Sequence, residues 1–441
     1  MRLRSYKINT SLLAIVAEGF LSRLSFGLIS FALPLYAYQL GLGLTEIGLL
    51  YSLNTIVSLA LKPLMGWAAD RYGLKRGFTV AISLRSLVAL LLAFAGAPWQ
   101  LYAIRFVHGV SISLRDPAAN ALIAEHGGKR AIASAFAWYT TAKSVAGSLG
   151  KALAGILLTL TVSNFSLVFI VAFLMSALPL VIVARYVKEE SKEDDHRALP
   201  SDAVNDNNVT DTQAGNVSAQ SPEARPAILP FIGLGFLISG TAQMLHGLFP
   251  ILATEYAGLS EAETGIIYLV STFVILFAGP LFGWLSDNVS RKLVLTVRSF
   301  TNTLSSVVYI IAPTFAGILV GKAVDDIGKA AFRPAWGSLM AHVSGFDRRR
   351  RARTMSFMSM GENAGEVAGP ILAGLLWSAW GIPVMLGVRV LLAVVTEVYA
   401  VALNGSLKKL ERNCSTDGAG GAPPKSCAQP GALLAGYSET E

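Results

Sequence analysis

Pro63-Leu64-Met65-Gly66-Trp67-Ala68-Ala69-Asp70 returns further down the chain as Pro280-Leu281-Phe282-Gly283-Trp284-Leu285-Ser286-Asp287, a separation of 217 residues between the two aspartates. The same separation pairs Glu46 with Glu263, Gly48 with Gly265, Tyr51 with Tyr268, Arg105 with Lys322, and Pro117-Ala118 with Pro334-Ala335. Beyond residue 131 it becomes 219, and Gly150, Leu153, Ala154 and Gly155 answer to Gly369, Leu372, Ala373 and Gly374. One register kept through several helical stretches, then a single two-residue insertion, marks an internal duplication.

The duplicated unit is apolar. Of 441 residues, 53% are hydrophobic and 15% charged, with a mean hydropathy of +0.54. Soluble domains carry about 25% charged residues, so the composition calls for lipid as solvent. A membrane-crossing helix needs about 20 mostly apolar residues. Such runs fall at 11–37, 45–69, 77–96, 100–124, 132–159, 164–186, 229–253, 262–286, 293–313, 315–341, 354–378 and 381–404. Their length, and the lack of short alternating segments, predict helices rather than a barrel. The expected fold is an all-α integral membrane protein of twelve spans. An even number of spans separates the two six-helix repeats, so they are parallel. The first run is too long for a signal peptide, contains Glu18 and Arg23, and is followed by further spans.

Lys and Arg set the orientation. The connections at 38–44, 95–99, 160–163, 254–261, 312–314 and 380 hold none. On the other side stand Arg2, Arg4 and Lys7, then Arg71, Lys75 and Arg76, Lys129 and Arg130, and the run Arg348 to Arg351 with Arg353. The loops and tails of that side hold twenty-three of the 36 basic residues, the spans hold thirteen, and the opposite loops hold none. Both termini are therefore expected in the cytoplasm, in what reads as a bacterial cytoplasmic (inner) membrane. The net charge of +8 reads as a topology signal, and no nucleic-acid partner is expected. Residues 1–10 form a cytoplasmic N-terminus, 11–187 and 229–404 the two halves, 188–228 a mostly disordered linker rich in Asp, Glu, Asn, Ser and Gln, and 405–441 a Gly-, Ser- and Pro-rich tail. Cys414 and Cys427 both lie in that tail, on the reducing side, so no structural disulfide is expected and their spacing fits no zinc pattern.

Short motifs sharpen this layout. The loop after the second span reads Gly66-Trp67-Ala68-Ala69-Asp70-Arg71-Tyr72-Gly73-Leu74-Lys75-Arg76, and its second copy keeps Gly283, Asp287, Arg291 and Lys292 with Asn288 in place of the first Arg. The fourth span carries Leu101, Arg105, His108 and Gly109. The fifth reads Gly147-Ser148-Leu149-Gly150-Lys151-Ala152-Leu153-Ala154-Gly155, and the eleventh Gly365-Glu366-Val367-Ala368-Gly369-Pro370. From residue 11 to 404 the chain resembles the major facilitator superfamily of secondary transporters. The loop motif is that family's signature. The fourth-span pattern is similar to that of proton-linked members, with His108 where glutamine is usual. The fifth-span pattern is similar to that of drug–proton antiporters, with Lys151 in place of a proline. The resemblance implies alternating access, and a loop (Gly66, Asp70, Arg71, Lys75, Arg76 and Gly283, Asp287, Arg291, Lys292) that latches one conformation.

Ionisable side chains within a bilayer cost at least about 2.5–3.5 kcal/mol each and face a cavity or a partner. The candidates for a substrate or proton cavity are Glu18, Arg23, Arg105, His108, Lys143, Lys151, His246, Lys322, Asp325, Asp326, Glu362 and Glu366. In the tenth span Lys322/Asp326 and Asp325/Lys329 stand four apart and are expected to pair. Glu362 and Glu366 stand one turn apart, and Lys143 corresponds to Glu362 through the repeat. Arg105 has no acid three or four residues away, so its partner should come from another helix, with Glu18 and Glu366 as candidates. Arg115 and Asp116 read as structural pairing near the cytoplasmic end, and Lys62, Arg185 and Arg298 as side chains that snorkel to the interface. Arg85 and Arg389 have no assigned role.

The expected function is secondary active transport of a small polar or charged solute, coupled to protons, with efflux antiport favoured over uptake symport. The energy source would be the proton gradient. No other cofactor and no metal site is expected, and the partners would be the solute and the bilayer, with the chain a monomer. A transporter-like membrane sensor or assembly partner without transport of its own stays open beside it. No GxxxxGK[ST] loop supports ATP-driven transport, and no HExxH or GxSxG supports a membrane enzyme.

Overall fold

The computed structural model describes residues 10–126, 132–187, 228–288, 291–345 and 351–416. The linker 188–227, both extreme termini and the short loops between these ranges lie outside the described residues. Among the described residues there are helices and no strands. The first half comprises α1 (Thr10–Gln39), α2 (Leu44–Tyr72), α3 (Leu74–Phe94), α4 (Pro98–His126), α5 (Ile132–Leu160) and α6 (Phe165–Tyr186). The second comprises α7 (Leu229–Gln243), α8 (Glu261–Asn288), α9 (Arg291–Ile311), α10 (Phe315–Gly345), and one long helical stretch, Arg351–Thr416, that Gly381 divides into α11 (351–380) and α12 (382–416).

Gly381 is the hinge of that last pair because its φ of 83° lies in the left-handed region that glycine enters without a Cβ clash. The helix following it runs to Thr416, past the expected end at 404. The seventh stretch departs further from a continuous 229–253 span. α7 stops at Gln243, residues 244–248 form turns, a single helical turn follows at Phe249–Ile251, and a π-turn closes at Leu252–Tyr256. Pro250 explains the break: its ring clashes with the carbonyl four residues back, at His246, and it offers no N–H to that carbonyl.

The duplication in sequence is a duplication in packing. α1 lies on α5, α2 on α4, and α3 on α4 and α6; in the second half α7 lies on α11, α8 on α10, and α9 on α10 and α12. Glycines allow the closest approaches. A Cβ at Gly150 would collide with the Leu24 carbonyl of α1, and one at Gly365 with the Phe236 carbonyl of α7, the small-residue packing that membrane helices favour. The halves meet through α2 on α11 and α5 on α8, again a symmetric pair.

Helix lengths and compositions explain why only part of the membrane layout is visible by hydropathy. Seven described helices are long and apolar enough to cross a membrane. The 357–403 stretch among them holds two legs, either side of Gly381. α7 is shortened by its break, and α4, α9 and α10 carry more ionisable and hydroxyl residues. Large apolar side chains such as Phe94, Phe277, Phe300 and Val398 point outward and are 65% to 75% exposed, while Glu18, Asp325 and Arg389 are buried. This is the distribution expected of a protein whose solvent is lipid.

Candidate functional site

Two charged clusters occupy the interiors of the halves. In the first, Glu18 of α1 is fully buried. It accepts from Arg115 Nε at 3.1 Å and from Arg115 Nη2 at 2.9 and 2.8 Å, and Ser22 Oγ donates to it at 2.7 Å. Arg115 also lies 3.7 Å from Asp116. Paired charge-assisted bonds of this geometry fix α1 on α4.

In the second, Asp325 of α10 gathers three cations from three helices. Lys329 Nζ lies 2.6 Å away, Arg389 Nη2 of α12 at 2.7 Å and Arg298 Nη1 of α9 at 3.5 Å. Arg389, with no exposed surface, also donates to the Thr241 carbonyl at the end of α7 and to Ser306 Oγ at 2.8 Å. Lys322 pairs with Asp326, so both expected i,i+4 pairs of α10 are present.

Several expectations change here. Glu18 is not the partner of Arg105; Arg115 takes it. Arg105 Nε instead donates to the Leu50 carbonyl at 3.2 Å, its Nη1 meets His108 Nδ1 at 3.1 Å, and its guanidinium lies 4.9 Å from the centre of the Tyr51 ring. Among the described residues no carboxylate lies within ion-pair distance of it, Glu366 included. Glu366 accepts from Gln243 Nε2 at 3.3 Å, and Glu362 from Trp336 Nε1 at 3.1 Å. Arg298 does not snorkel outward; it is buried against Asp325 because three cations converge on that carboxylate. Arg115, read as structural pairing near the cytoplasmic end, is in such pairs, with Glu18 as well as Asp116, and is 2% exposed.

The remaining candidates lie on aromatic rings. Arg23 stands 4.6 Å from the centre of Phe26, with Arg85 5.6 Å from the same ring and His108 5.3 Å from it, centre to centre. Lys143 lies over Tyr139 at 4.8 Å, and Lys151 over Tyr268 at 4.6 Å. Tyr268 belongs to the opposite half from Lys151. Lys322 lies over the same ring at 5.4 Å. The repeat is therefore expressed in chemistry: Arg105 sits over Tyr51 as its counterpart Lys322 sits over Tyr268. His246, in the break after α7, is exposed between buried neighbours and meets Tyr51 edge-on at 6.2 Å.

Lys151 on Tyr268 and His246 on Tyr51 join the two halves, and the halves touch at further points. Ser52 Oγ donates to the Val367 carbonyl at 2.7 Å, Thr45 and Ser378 hydroxyls meet at 2.8 Å, and Ser163 Oγ donates to Glu261 at 2.7 Å. A Cβ at Gly48 would collide with the Pro370 carbonyl, one at Gly374 would lie 2.5 Å from the Leu44 carbonyl, and one at Gly155 would lie 2.8 Å from Gly265 Cα. The contact zone runs from the helix ends remote from the termini, at Thr45, Ser163, Glu261 and Ser378, to the middle of α11 at Val367. Val162 and Ser163, with φ of 53° and 57°, form the strained turn that presents Ser163 to Glu261.

Of the latch motif, Lys75 Nζ donates to the Ala184 carbonyl of α6 at 3.3 Å, Arg71 lies 5.3 Å from the centre of the Trp67 ring, and Arg76 is exposed. The surroundings of Gly66, Asp70, Gly283, Asp287, Arg291 and Lys292 lie outside what is described.

Family comparison agrees with this architecture. The model of the Major Facilitator Superfamily matches residues 18–230 and 231–419, once per half. The chain belongs to that superfamily. Multidrug resistance protein 2 of Bacillus subtilis is 21% identical over 373 residues, 84% of this chain and 89% of that protein. The multi-drug resistance efflux pump PmrA of Streptococcus pneumoniae is 25% identical over 381 residues, 81% of this chain and 87% of the pump. Among solved structures, an inward-facing, occupied bacterial homologue of the human lysosomal transporter Spinster superposes with a TM-score of 0.67 at 15% identity, covering 92% of this chain and 97% of the other. The nucleoside transporter NupG gives 0.67 at 16%, covering 90% and 99%. The chain is thus an integral, multi-pass membrane transporter of this superfamily and not an enzyme.

Proposed function

We propose that the chain moves a small polar or charged solute by alternating access, driven by the proton gradient, as an efflux antiporter with both termini in the cytoplasm. The observation that carries the reading is the contact zone between the halves. It is made of small residues and single hydroxyl bonds, runs from the helix ends remote from the termini to the middle of α11, and the helices that form it carry partly accessible ionisable side chains, Lys151 on α5 and Glu362 and Glu366 on α11. Few strong bonds need break for the halves to part there, whereas each half is internally fastened by buried charges such as Glu18–Arg115 and Asp325–Arg389. A rigid half rocking on a soft contact is the mechanical requirement of alternating access. The relatives named as multidrug resistance proteins and efflux pumps favour export.

Glu362 and Glu366 of α11 are the proposed proton carriers. Both keep partial accessibility, Glu362 accepting from Trp336 and Glu366 from Gln243. Glu18, Asp325 and Asp326 are buried and are assigned to packing. The test is purified protein in sealed liposomes loaded with a pH-sensitive dye, under an imposed pH gradient, challenged with a panel of organic anions, cations and neutral dyes. The expected result is solute entry coupled to proton exit, lost in Glu366→Gln. A chain that dissipates the gradient with no solute of the panel is not a proton-coupled antiporter and fits a sensor instead.

A further inference from the structure

Charge within the helices is unevenly distributed. Away from the helix ends, α1, α3, α4 and α5 carry Arg23, Arg85, Arg105, Arg115, Lys143 and Lys151 against the carboxylates Glu18 and Asp116, with Glu125 at the last turn of α4. Glu18 is consumed by Arg115. Among the described residues, neither Lys143 nor Lys151 has a hydrogen-bond or ion-pair partner, and Arg105 has no carboxylate. An uncompensated cation in a low-dielectric setting is unfavourable, and persists where a partner arrives from elsewhere.

Lys151 is the best placed of these. Its ammonium lies 4.6 Å from the centre of Tyr268, a ring of the other half that Lys322 also approaches at 5.4 Å. Around them stand Phe31, 5.9 Å from Tyr268, and Phe249, 5.5 Å from Tyr268 and 5.5 Å from Lys322, and all three rings are buried. Lys322 is already neutralised by Asp326. Lys329 also lies 3.9 Å from Asp326, so cations outnumber the carboxylate here and an anionic group would offset the excess, while the surrounding rings offer an apolar, aromatic wall.

We infer that this place is an organic-anion site, in which one carboxylate, sulfonate or phosphate group of the solute is shared by Lys151 of α5 and Lys322 of α10, with the solute's apolar body against Phe249, Tyr268 and Phe31. The inference rests on the transporter reading and names its solute class. It also gives binding a mechanical consequence. Both ammonium groups, from opposite halves, stand close to the Tyr268 ring; without the anion they repel, and with it they are joined. The solute thus favours the arrangement in which the halves are drawn together around it, a differential interaction of the kind a conformational change requires.

The test uses the purified full chain in detergent. Melting temperature is followed against matched sets on one skeleton: benzoate, benzenesulfonate and phenyl phosphate, with benzyl alcohol and benzylamine as neutral and cationic counterparts. At least one anion should raise the melting temperature while the alcohol and the amine do not. Lys151→Gln should weaken that anion about ten- to hundredfold, the loss expected for a charged hydrogen bond, whereas Lys151→Arg should stay close to wild type. Should Lys151→Gln not fold, labelling of the wild-type Lys151 amine by an acylating reagent, read by peptide mass, decides: the anion should protect it. Stabilisation by the amine equal to that by the anion, no stabilisation by any anion, unchanged anion affinity in Lys151→Gln, or no protection of Lys151 overturns the site. Gradient-driven flux of an amine or neutral solute without anion binding overturns the site and leaves the transporter reading intact; anion binding without flux does the reverse.

Discussion

Asp325 should owe most of its stabilising effect to Arg389, not to the nearer lysine on its own helix. Lys329 Nζ and Arg389 Nη2 lie at nearly equal distances, 2.6 and 2.7 Å. Their surroundings differ: the Lys329 side chain is 35% exposed, the Arg389 side chain 0% and the Asp325 side chain 2%. Opposite charges about 4 Å apart attract by about 4 kcal/mol at an effective dielectric of about 20 and by about 1 kcal/mol in water. After desolvation and side-chain ordering, the Asp325–Arg389 coupling should be about 2–4 kcal/mol. The Asp325–Lys329 coupling should be about 1 kcal/mol or less, as for partly exposed pairs. Asp325→Asn alone leaves Arg389 and Arg298 buried without their counter-charge and should cost about 3–5 kcal/mol. Double-mutant cycles with Arg389→Gln and Lys329→Gln, read by SDS-titrated unfolding in mixed micelles, isolate each pair from the bonds Arg389 also makes to Thr241 and Ser306. A Lys329 coupling equal to or larger than that of Arg389 would refute the reasoning, since it would mean that burial does not set the strength of these pairs.

Gly48→Ala should push the halves apart at the contact zone, because the new Cβ meets the Pro370 carbonyl. Single-cysteine probes on the non-terminal side of α2 and α11 should become more reactive while the melting temperature falls little, and unchanged reactivity would count against this zone as the gate. A reporter joined after Asn404 should signal from the cytoplasm, as the absence of Lys and Arg from the opposite loops requires; a signal from the outer side would invert the topology.

The architecture was legible because its signals are local or periodic. The recurrence of Gly66 to Asp70 at Gly283 to Asp287 needs no three-dimensional information, and the same packing pairs occur in both halves. Pairing within α10 was legible for the same reason: Lys322 with Asp326 and Asp325 with Lys329 are set by helical pitch alone. Pairing between helices was not. Glu18 and Arg115 stand 97 residues apart, and nothing in the spacing distinguishes Arg115 from Arg105 as the partner, since both lie on α4. Depth does distinguish them. Glu18 lies in the third turn of α1 from the terminal side, and Arg115 is the closer of the two arginines to that side of the antiparallel α4. Depth along antiparallel helices therefore matches them. The break after α7 carries a visible signal as well, Gly247 and Pro250 within a run that hydropathy alone treats as continuous. Arg389 carries none, for its partners come from α7, α9 and α10 and no acid lies near it on its own helix.

Duplication supplies a scaffold with two equivalent places, and function requires that they differ. Tyr51 and Tyr268 are such a pair, each beneath a cation of the fourth helix of its half. Around Tyr51 the cation is Arg105, held by the Leu50 carbonyl and His108, and the visitor from the other half is His246, an imidazole. Around Tyr268 the cation is Lys322, neutralised by Asp326, and the visitor is Lys151, an ammonium. Position 151 corresponds through the repeat to Pro370, which packs its carbonyl on Gly48. One copy of that position therefore closes the contact between the halves, while the other brings a charge to it. A closing contact and a charged contact at symmetry-related places let the halves share one packing geometry yet respond to a solute at one of them.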